Sequence, residues 1–131
     1  MKKDPKSISD EEWRQLLSPE AYHVLREKGT ERPFSGEHLA TLGPGSWHCG
    51  ACDAKLFDGT QKFASSCGWP AFSQAMAGQV DEEQDTSHGM RRTEVLCHHC
   101  ASHLGHVFND GPPPSGLRYC INSLALSYKK D

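Results

Sequence analysis

Two cysteine pairs constrain the fold of this chain more than any other feature. Both have the spacing Cys-x-x-Cys, at Cys49 and Cys52 and again at Cys97 and Cys100, with 44 residues between the pairs. Such a pair forms a short turn that points two thiolates at one ion, and two turns complete the tetrahedral four-sulfur shell that suits Zn²⁺. Because protein fills all four coordination positions, we expect one structural zinc ion per chain.

Other uses of these cysteines stay open at this point. Iron is chemically allowed in the same four-sulfur shell. A thioredoxin-like redox pair fits less well, because neither pair lies between a strand and a long helix. His98 and His99 lie inside the second pair and are alternative ligands, although we expect them to be exposed polar residues.

Composition and charge narrow the class of protein. The 131 residues have a net charge of −3, which argues against a nucleic-acid partner or an anionic membrane. No apolar run approaches the ~20 residues of a membrane-spanning helix, and the first residues lack the apolar stretch of a secretory signal. We therefore expect a cytoplasmic protein with no membrane partner. In that reducing compartment a framework of structural disulfides is not expected.

The first thirty residues predict a polar lead and two short helices. Residues 1–8 form the lead, and residues 9–131 are expected to form a single domain. Ser9 and a glutamate three residues later match a capping box at the start of the first helix. Ser18 followed by proline begins a second helix, which Gly29 is expected to end.

The remainder predicts a mostly antiparallel β domain. Glycine and proline recur from residue 30 onward, and helical periodicity disappears. Candidate strands lie at 45–49, 62–64, 92–97, 104–108 and 117–127.

Two cysteines remain after four are assigned to the metal. Cys67 lies among glycine and proline residues that indicate a loop. On a strand, Arg118, Cys120 and Asn122 would share one face. A guanidinium beside a thiol raises its thiolate fraction. From these residues alone, a reactive thiol and a small buried core residue remain equally consistent interpretations of Cys120.

Four segments closely resemble motifs of the B-type methionine sulfoxide reductases, the peptide-methionine (R)-S-oxide reductases, and they occur in the order that the family has. The resemblance extends from about residue 10 to residue 128, and both cysteine pairs fall where zinc-bearing members have theirs. It implies a mainly β fold of two antiparallel sheets in a distorted barrel, with small N-terminal helices. The segments are SCGWPAF at 66–72, SHGMRRTE at 87–94, HLGHVFNDGP at 103–112 and RYCINS at 118–123.

The resemblance implies a reaction cycle based on two thiols. Cys120 would be the nucleophile that takes the oxygen of methionine-R-sulfoxide in oxidised proteins, becoming a sulfenic acid. Cys67 matches the recycling cysteine, so a Cys67–Cys120 disulfide should follow, and thioredoxin should reduce it.

An acid is also required, because a sulfoxide sulfur is electrophilic only when its oxygen accepts a proton or strong hydrogen bonds. His106 matches the active-site histidine of the family, and His103 is expected to assist. The two are three positions apart, so a bend or bulge is needed to bring both into one site. Asp110 is expected to orient an imidazole or hold a water. His88 and Glu94 match positions near the site without an assigned role.

The remaining matched residues concern charge and substrate binding. Arg118 is expected to hold the thiolate charge, and Asn122 to hydrogen-bond the reacting groups. Trp69 would form an apolar wall for the S-methyl group, with Phe108 contributing, although an ordinary core tryptophan is the alternative. An aromatic wall opposite hydrogen-bond donors would sort the two sulfoxide epimers.

Two other functions are weaker interpretations of the same sequence. A zinc-ribbon adaptor explains the four metal-binding cysteines but leaves Cys67, Cys120 and Trp69 without a role. A protein-thiol redox sensor would use Cys67 and Cys120 without a small-molecule or peptide substrate.

Overall fold

The fold is mainly β, as the sequence predicts. The computed structural model describes residues 8–30, 45–63, 68–86, 89, 91–113 and 115–130. Within these residues two short helices precede nine strands, which form two antiparallel sheets. The helices are α1 (Asp10–Leu16) and α2 (Pro19–Arg26), and the strands are β1 (Ser46–Cys49), β2 (Lys55–Asp58), β3 (Lys62–Phe63), β4 (Ala71–Phe72), β5 (Val80–Asp85), β6 (Arg92–Cys97), β7 (His103–Phe108), β8 (Arg118–Ile121) and β9 (Leu126–Lys129).

Both helices begin where the sequence predicts. The Ser9 hydroxyl accepts a hydrogen bond from the Glu12 backbone N–H at 3.2 Å, and the Glu12 carboxylate accepts one from the Ser9 N–H at 3.1 Å. This is the predicted capping box, and α2 begins with a serine hydroxyl cap followed by proline. Helix α2 ends at Arg26, before the predicted stop at Gly29, and Lys28 adopts a left-handed backbone conformation with φ of 58°.

The sheets differ in size and together position the site. The larger sheet has the strand order β3-β4-β8-β7-β6-β5, and the smaller one has the order β2-β1-β9. Strands β2, β4 and β5 were not predicted. Strand β5 has the sequence VDEEQD and four consecutive exposed residues, so it carries no alternating apolar signal. It lies at the edge of the larger sheet, where charged side chains disfavour pairing with another chain.

The prediction of one strand over 117–127 is wrong. Strand β8 belongs to the larger sheet and β9 to the smaller one, and a 3₁₀ turn at Ser123–Ala125 separates them. Apolar residues recur along the whole segment because both sheets contribute to one core. Of the predicted strand at 62–64, residue 64 lies outside the described residues, and β3 covers the other two.

Aromatic side chains from both sheets form the centre of the core. Phe57 of the smaller sheet stacks on Phe72 of the larger sheet at 4.2 Å between ring centroids, and Trp47 meets Phe72 edge-on at 5.7 Å. Trp13 and Leu25 of the helices are also buried in this cluster. Burial of such large rings fixes the relative position of the sheets. No helix within the described residues has the length and apolar character needed to cross a bilayer.

Candidate active site and metal centre

The pleat of the larger sheet explains why distant segments meet at one place. Glu94 on β6 lies opposite His106 on β7, and His106 lies opposite Cys120 on β8. Residues two positions along a strand point to the same face. Phe108 and Arg118, which also lie opposite each other, are therefore on the face that carries Cys120.

A small cavity opens beside these residues. Its volume is about 70 Å³, several times the ~10–15 Å³ that one water needs. One cavity thus contains the cysteine expected to react, one expected acid and both expected aromatic residues. They are Cys120, His106, Trp69 and Phe108. The lining of the cavity consists of Thr30, Trp69, Arg92, Gly105, His106, Phe108, Cys120 and Asn122.

A positive charge lies next to the Cys120 thiol. Cys120 is 8% exposed, and its Sγ accepts a hydrogen bond from Arg118 Nη1 at 3.3 Å. Asp110 holds the guanidinium through two hydrogen bonds, from Nε at 2.8 Å and from Nη2 at 3.1 Å. The guanidinium also lies 4.5 Å from the centre of the Phe108 ring. This arrangement favours the thiolate form of Cys120.

Among the described residues Asp110 contacts Arg118, a partner that the sequence did not indicate. The hydrogen bond from this guanidinium holds the pKa of Asp110 below its usual value. Each described imidazole near the cavity has another carboxylate as its partner.

A bulge in β7 solves the spacing problem of the two histidines. Val95 lies opposite Gly105, whereas the next residue of β6, Leu96, lies opposite His103, so β7 contains one extra residue. The His103 and His106 rings consequently meet edge-on, with centroids 5.5 Å apart. His106 lines the cavity, and His103 lies next to it at 3% exposure.

Two carboxylates hold these histidines. His106 Nε2 lies 2.8 Å from Asp85 Oδ2, and His103 Nδ1 lies 2.7 Å from Oε2 of Glu94, which is itself buried. Burial lowers the pKa of His103, and the neighbouring Glu94 carboxylate acts in the opposite direction. Sequence reasoning missed Asp85, because β5 is polar after its first residue and nothing distinguishes one of its acidic residues from the others.

The backbone of β7 approaches β8 closely at the cavity. A Cβ at Gly105 would overlap the carbonyl oxygen of Cys120, so only glycine fits there. The buried Asn122 donates a hydrogen bond from Nδ2 to the Leu104 carbonyl at 3.0 Å, which fixes the amide beside the cavity. Arg92, which was not predicted, also lines the cavity and lies 3.5 Å from the Asp85 carboxylate.

Two residues that the sequence motifs singled out lie outside the described residues. They are Cys67 and His88. The pairing of Cys67 with Cys120 therefore stays a prediction.

The two cysteine pairs form equivalent turns. Cys49 ends β1 and Cys97 ends β6, so each pair begins at the end of a strand. The residue after each pair has a left-handed backbone, with φ of 68° at Asp53 and 62° at Ala101. Each donates its N–H to the carbonyl of the first cysteine of its pair, at 2.9 Å and 2.8 Å. The repeated geometry aims two sulfur atoms from each turn in one direction.

The four thiols are arranged to hold one metal ion. The Sγ atoms of Cys49, Cys52, Cys97 and Cys100 all lie within 4.8 Å of one another. Closest approaches are 3.7 Å between Cys49 and Cys100 and 3.5 Å between Cys52 and Cys97. Four sulfurs bound tetrahedrally at about 2.3 Å have edges of about 3.8 Å. The observed separations fit such a shell.

Comparison with known proteins agrees with this geometry. The family model described as the SelR domain matches residues 17–130. A protein of Cellvibrio japonicus named peptide methionine sulfoxide reductase MsrB is 55% identical over 94% of this chain and 89% of its own length. A protein of the same name from Bradyrhizobium diazoefficiens is 60% identical over 90% of this chain and 86% of its own. The chain belongs to the SelR domain family, which confirms the resemblance to B-type methionine sulfoxide reductases.

A similar fold occurs in a more distant solved structure. The crystal structure of the Mis18 'Yippee-like' domain superposes with a TM-score of 0.54 at 19% identity, covering 68% of this chain and 98% of that one. At this identity the likeness concerns the fold alone.

Proposed function

We propose that this protein is an enzyme that reduces methionine-R-sulfoxide in oxidised proteins and peptides to methionine. The observation that carries the proposal is that one cavity brings together a thiol, an imidazole and two aromatic rings, from Cys120, His106, Trp69 and Phe108. Arg118 donates a hydrogen bond to this thiol. Reduction of a sulfoxide requires a nucleophile and an acid. An apolar wall can hold the S-methyl group of the substrate.

The first step transfers oxygen to Cys120. Its thiolate attacks the sulfoxide sulfur while the sulfoxide oxygen takes a proton from His106, which Asp85 orients at 2.8 Å. The oxygen then passes to the cysteine sulfur, so that methionine leaves and Cys120 becomes a sulfenic acid. The cysteine sulfur is oxidised by two electrons and the methionine sulfur is reduced by two. Asn122 lies beside the same cavity and is positioned to hydrogen-bond the reacting groups.

The second stage restores the thiol. Condensation of the Cys67 thiol with the Cys120 sulfenic acid forms a disulfide and releases water. Thioredoxin then reduces this disulfide through thiol–disulfide exchange, and its own dithiol becomes a disulfide. The proposal rests on the matched motif that contains Cys67, and it makes thioredoxin the physiological reductant.

Epimer choice follows from the two kinds of surface around the cavity. Trp69 and Phe108 offer apolar rings to the S-methyl group, and His106 offers a donor to the oxygen. Because sulfur in a sulfoxide is a stereocentre, only one epimer places methyl and oxygen correctly when the thiolate attacks. We assign the R epimer, in agreement with the family motifs.

The four-cysteine site is proposed to hold structural Zn²⁺. A closed four-thiolate shell leaves no position for substrate, and the sulfur separations fit a tetrahedral ion. The ion would tie the end of β1 to the end of β6, and thus one sheet to the other. None of the five described cysteines is in a disulfide with another described cysteine. We place the enzyme in the cytoplasm, where thiols stay reduced.

A stereochemical assay tests the activity. The protein is mixed with dithiothreitol and a racemic methionine sulfoxide derivative, and the products are resolved on a chiral column. We expect loss of the R epimer alone and no turnover by Cys120→Ser. Persistence of both epimers would exclude the reductase, and a redox sensor or zinc-bound adaptor would then be the better interpretation.

A second assay tests recycling. We expect Cys67→Ser to lose turnover supported by thioredoxin but to keep one reduction cycle per enzyme. Dithiothreitol should sustain this variant, because a small thiol condenses directly with a sulfenic acid. Undiminished turnover with thioredoxin would contradict the role of Cys67.

A further inference from the structure

Lys28 has an unusual backbone conformation for its residue type. It follows the C-terminus of α2 with φ of 58°, and the next residue, Gly29, donates its N–H to the His23 carbonyl at 2.8 Å. Helices that end with a left-handed residue most often use glycine, and occasionally asparagine, at that position. A backbone outlier of this kind is a reason to ask what the side chain contributes.

The side chain of Lys28 reaches the buried pair behind the cavity. Its Nζ lies 3.3 Å from Oε1 of Glu94, while Oε2 of the same carboxylate lies 2.7 Å from Nδ1 of His103. Glu94 and His103 are each 3% exposed, whereas Lys28 is 65% exposed. The ammonium therefore approaches from solvent and ends on a carboxylate that has little contact with water.

We propose that Lys28 is a positioning residue of the reductase site: its ammonium group balances the buried Glu94 carboxylate, so that the His103 ring beside His106 carries no charge. This inference rests on the proposed function, in which His106 is the acid that protonates the sulfoxide. Lys28 touches neither the cavity nor the thiol in the contacts described above, and it acts through Glu94 and His103.

The charges around His103 support this assignment. Glu94 faces it from β6, His106 faces it from β7, and Lys28 reaches the pair from the segment after α2. A buried carboxylate needs a positive partner. With Lys28 present, His103 does not have to supply that charge. Desolvation lowers the pKa of His103, which also favours the uncharged ring, and the charges of His106 and Lys28 add to this effect.

Loss of the ammonium should therefore change the protonation of His103. Glu94 would then draw a proton onto His103, and a charged ring would lie 5.5 Å from His106. Two adjacent imidazolium ions repel each other. A charged His103 ring would therefore oppose the role of His106 as proton donor, and turnover near neutral pH should fall.

Three variants separate the charge of Lys28 from its backbone conformation. Lys28→Met removes the ammonium and keeps most of the side chain. Lys28→Gly removes the ammonium and also relieves the left-handed backbone. Lys28→Arg keeps the charge and is the matched control. All three are prepared as full chains with the metal bound, and thermal unfolding checks that each is folded.

The first measurement does not depend on activity. Histidine titration by NMR should show the midpoint of His103 rising by about 0.5–1 pH unit in Lys28→Met and Lys28→Gly, with little change in Lys28→Arg. The second measurement is the pH profile of kcat. Its alkaline limb should move to lower pH in the first two variants and stay in place in Lys28→Arg.

Lys28→Gly gives the sharpest distinction. If Lys28 only ends a helix, this variant should be at least as stable as the parent protein, with an unchanged His103 titration and an unchanged pH profile, and the proposal is overturned. A shifted titration in a variant of equal or higher Tm supports it. Should the parent protein lack reductase activity, the proposed function fails, whereas the NMR titration still decides whether Lys28 sets the charge of His103.

Discussion

Arg118 donates a hydrogen bond from Nη1 to the sulfur of Cys120 at 3.3 Å, from a position two residues earlier on the same strand. Alternation along β8 puts both side chains on one face, and Asp110 holds the far edge of the guanidinium. Strand geometry thus places the Arg118 guanidinium next to the thiol, and the Asp110 carboxylate from the segment after β7 holds it there.

Removal of this guanidinium should make Cys120 less reactive. We expect Arg118→Gln to raise the midpoint of the Cys120 alkylation rate against pH by about one unit, because an opposite charge within hydrogen-bond distance favours the charged form. Iodoacetamide labelling followed by peptide mass mapping measures Cys120 separately from the other cysteines. Arg91→Gln, at an exposed arginine just before β6, is the control. Equal midpoints in both variants would contradict the assignment.

Asp110 should act only through Arg118. Asp110→Asn is expected to shift the alkylation midpoint in the same direction and to lower kcat/KM by less than about fivefold, because the Asp110 carboxylate is largely exposed. In an Arg118→Gln background the same substitution should have almost no further effect. An additive loss in the double variant would show that Asp110 has another contact with the reaction.

His106 should matter for proton transfer and not for the thiol. We expect His106→Gln to lower kcat by about 10²–10⁴-fold, the usual contribution of a general acid, while Cys120 alkylation stays near the parent rate. Asp85→Asn should give a smaller loss, because it only orients the ring. His23→Gln, at a histidine that is 61% exposed on α2, is the control and should retain full activity. Normal turnover by His106→Gln would show that the acid lies elsewhere.

Metal removal should unfold the protein before it affects the thiol chemistry. Cys52→Ser is expected to lower the metal content and to reduce Tm by about 10 °C or more, since a structural four-thiolate site contributes several kcal/mol to folding. Elemental analysis and circular dichroism measure the two effects. Cys120→Ser should retain a full complement of zinc and nearly the parent Tm. Folded parent protein without metal would refute the site.

Stability should decrease as the pH falls below about 6.5. Burial lowers the pKa of His103 in the folded protein, so the unfolded chain binds a proton at a pH where the folded chain does not. The free energy of unfolding must then decrease from the unfolded pKa, about 6.5, down to the folded pKa. Urea unfolding between pH 7 and pH 5.5 should show a shallower decrease in His103→Gln than in His23→Gln. Parallel curves would mean that His103 is not the buried neutral group.

Local sequence signals gave the parts of the structure that depend on near neighbours. The capping box at Ser9 and Glu12 and the two cysteine turns depend on contacts within three or four positions, and spacing alone encodes them. The family motifs then named Cys120 and His106 as members of one site, and both line the cavity.

Contacts between distant segments were decided only by the tertiary structure. The single strand expected over 117–127 is divided between two sheets, because both ends of that apolar segment pack into one core. Asp85 meets His106, and Glu94 meets His103, only because of the sheet register and the one extra residue in β7.

The sequence by itself therefore indicated which atoms take part: the spacing of two cysteine pairs indicated four thiols for a metal, and the family resemblance named one reactive thiol and an imidazole. The tertiary structure decided which charge meets which group, as in the contacts of Asp110 with Arg118 and of Lys28 with Glu94. The physical reason is that residue type fixes the chemistry of a group, whereas the distance between two charges depends on strand register, on a bulge and on where a helix ends. Many local conformations of the chain are compatible with the same sequence. Tertiary packing selects one of them.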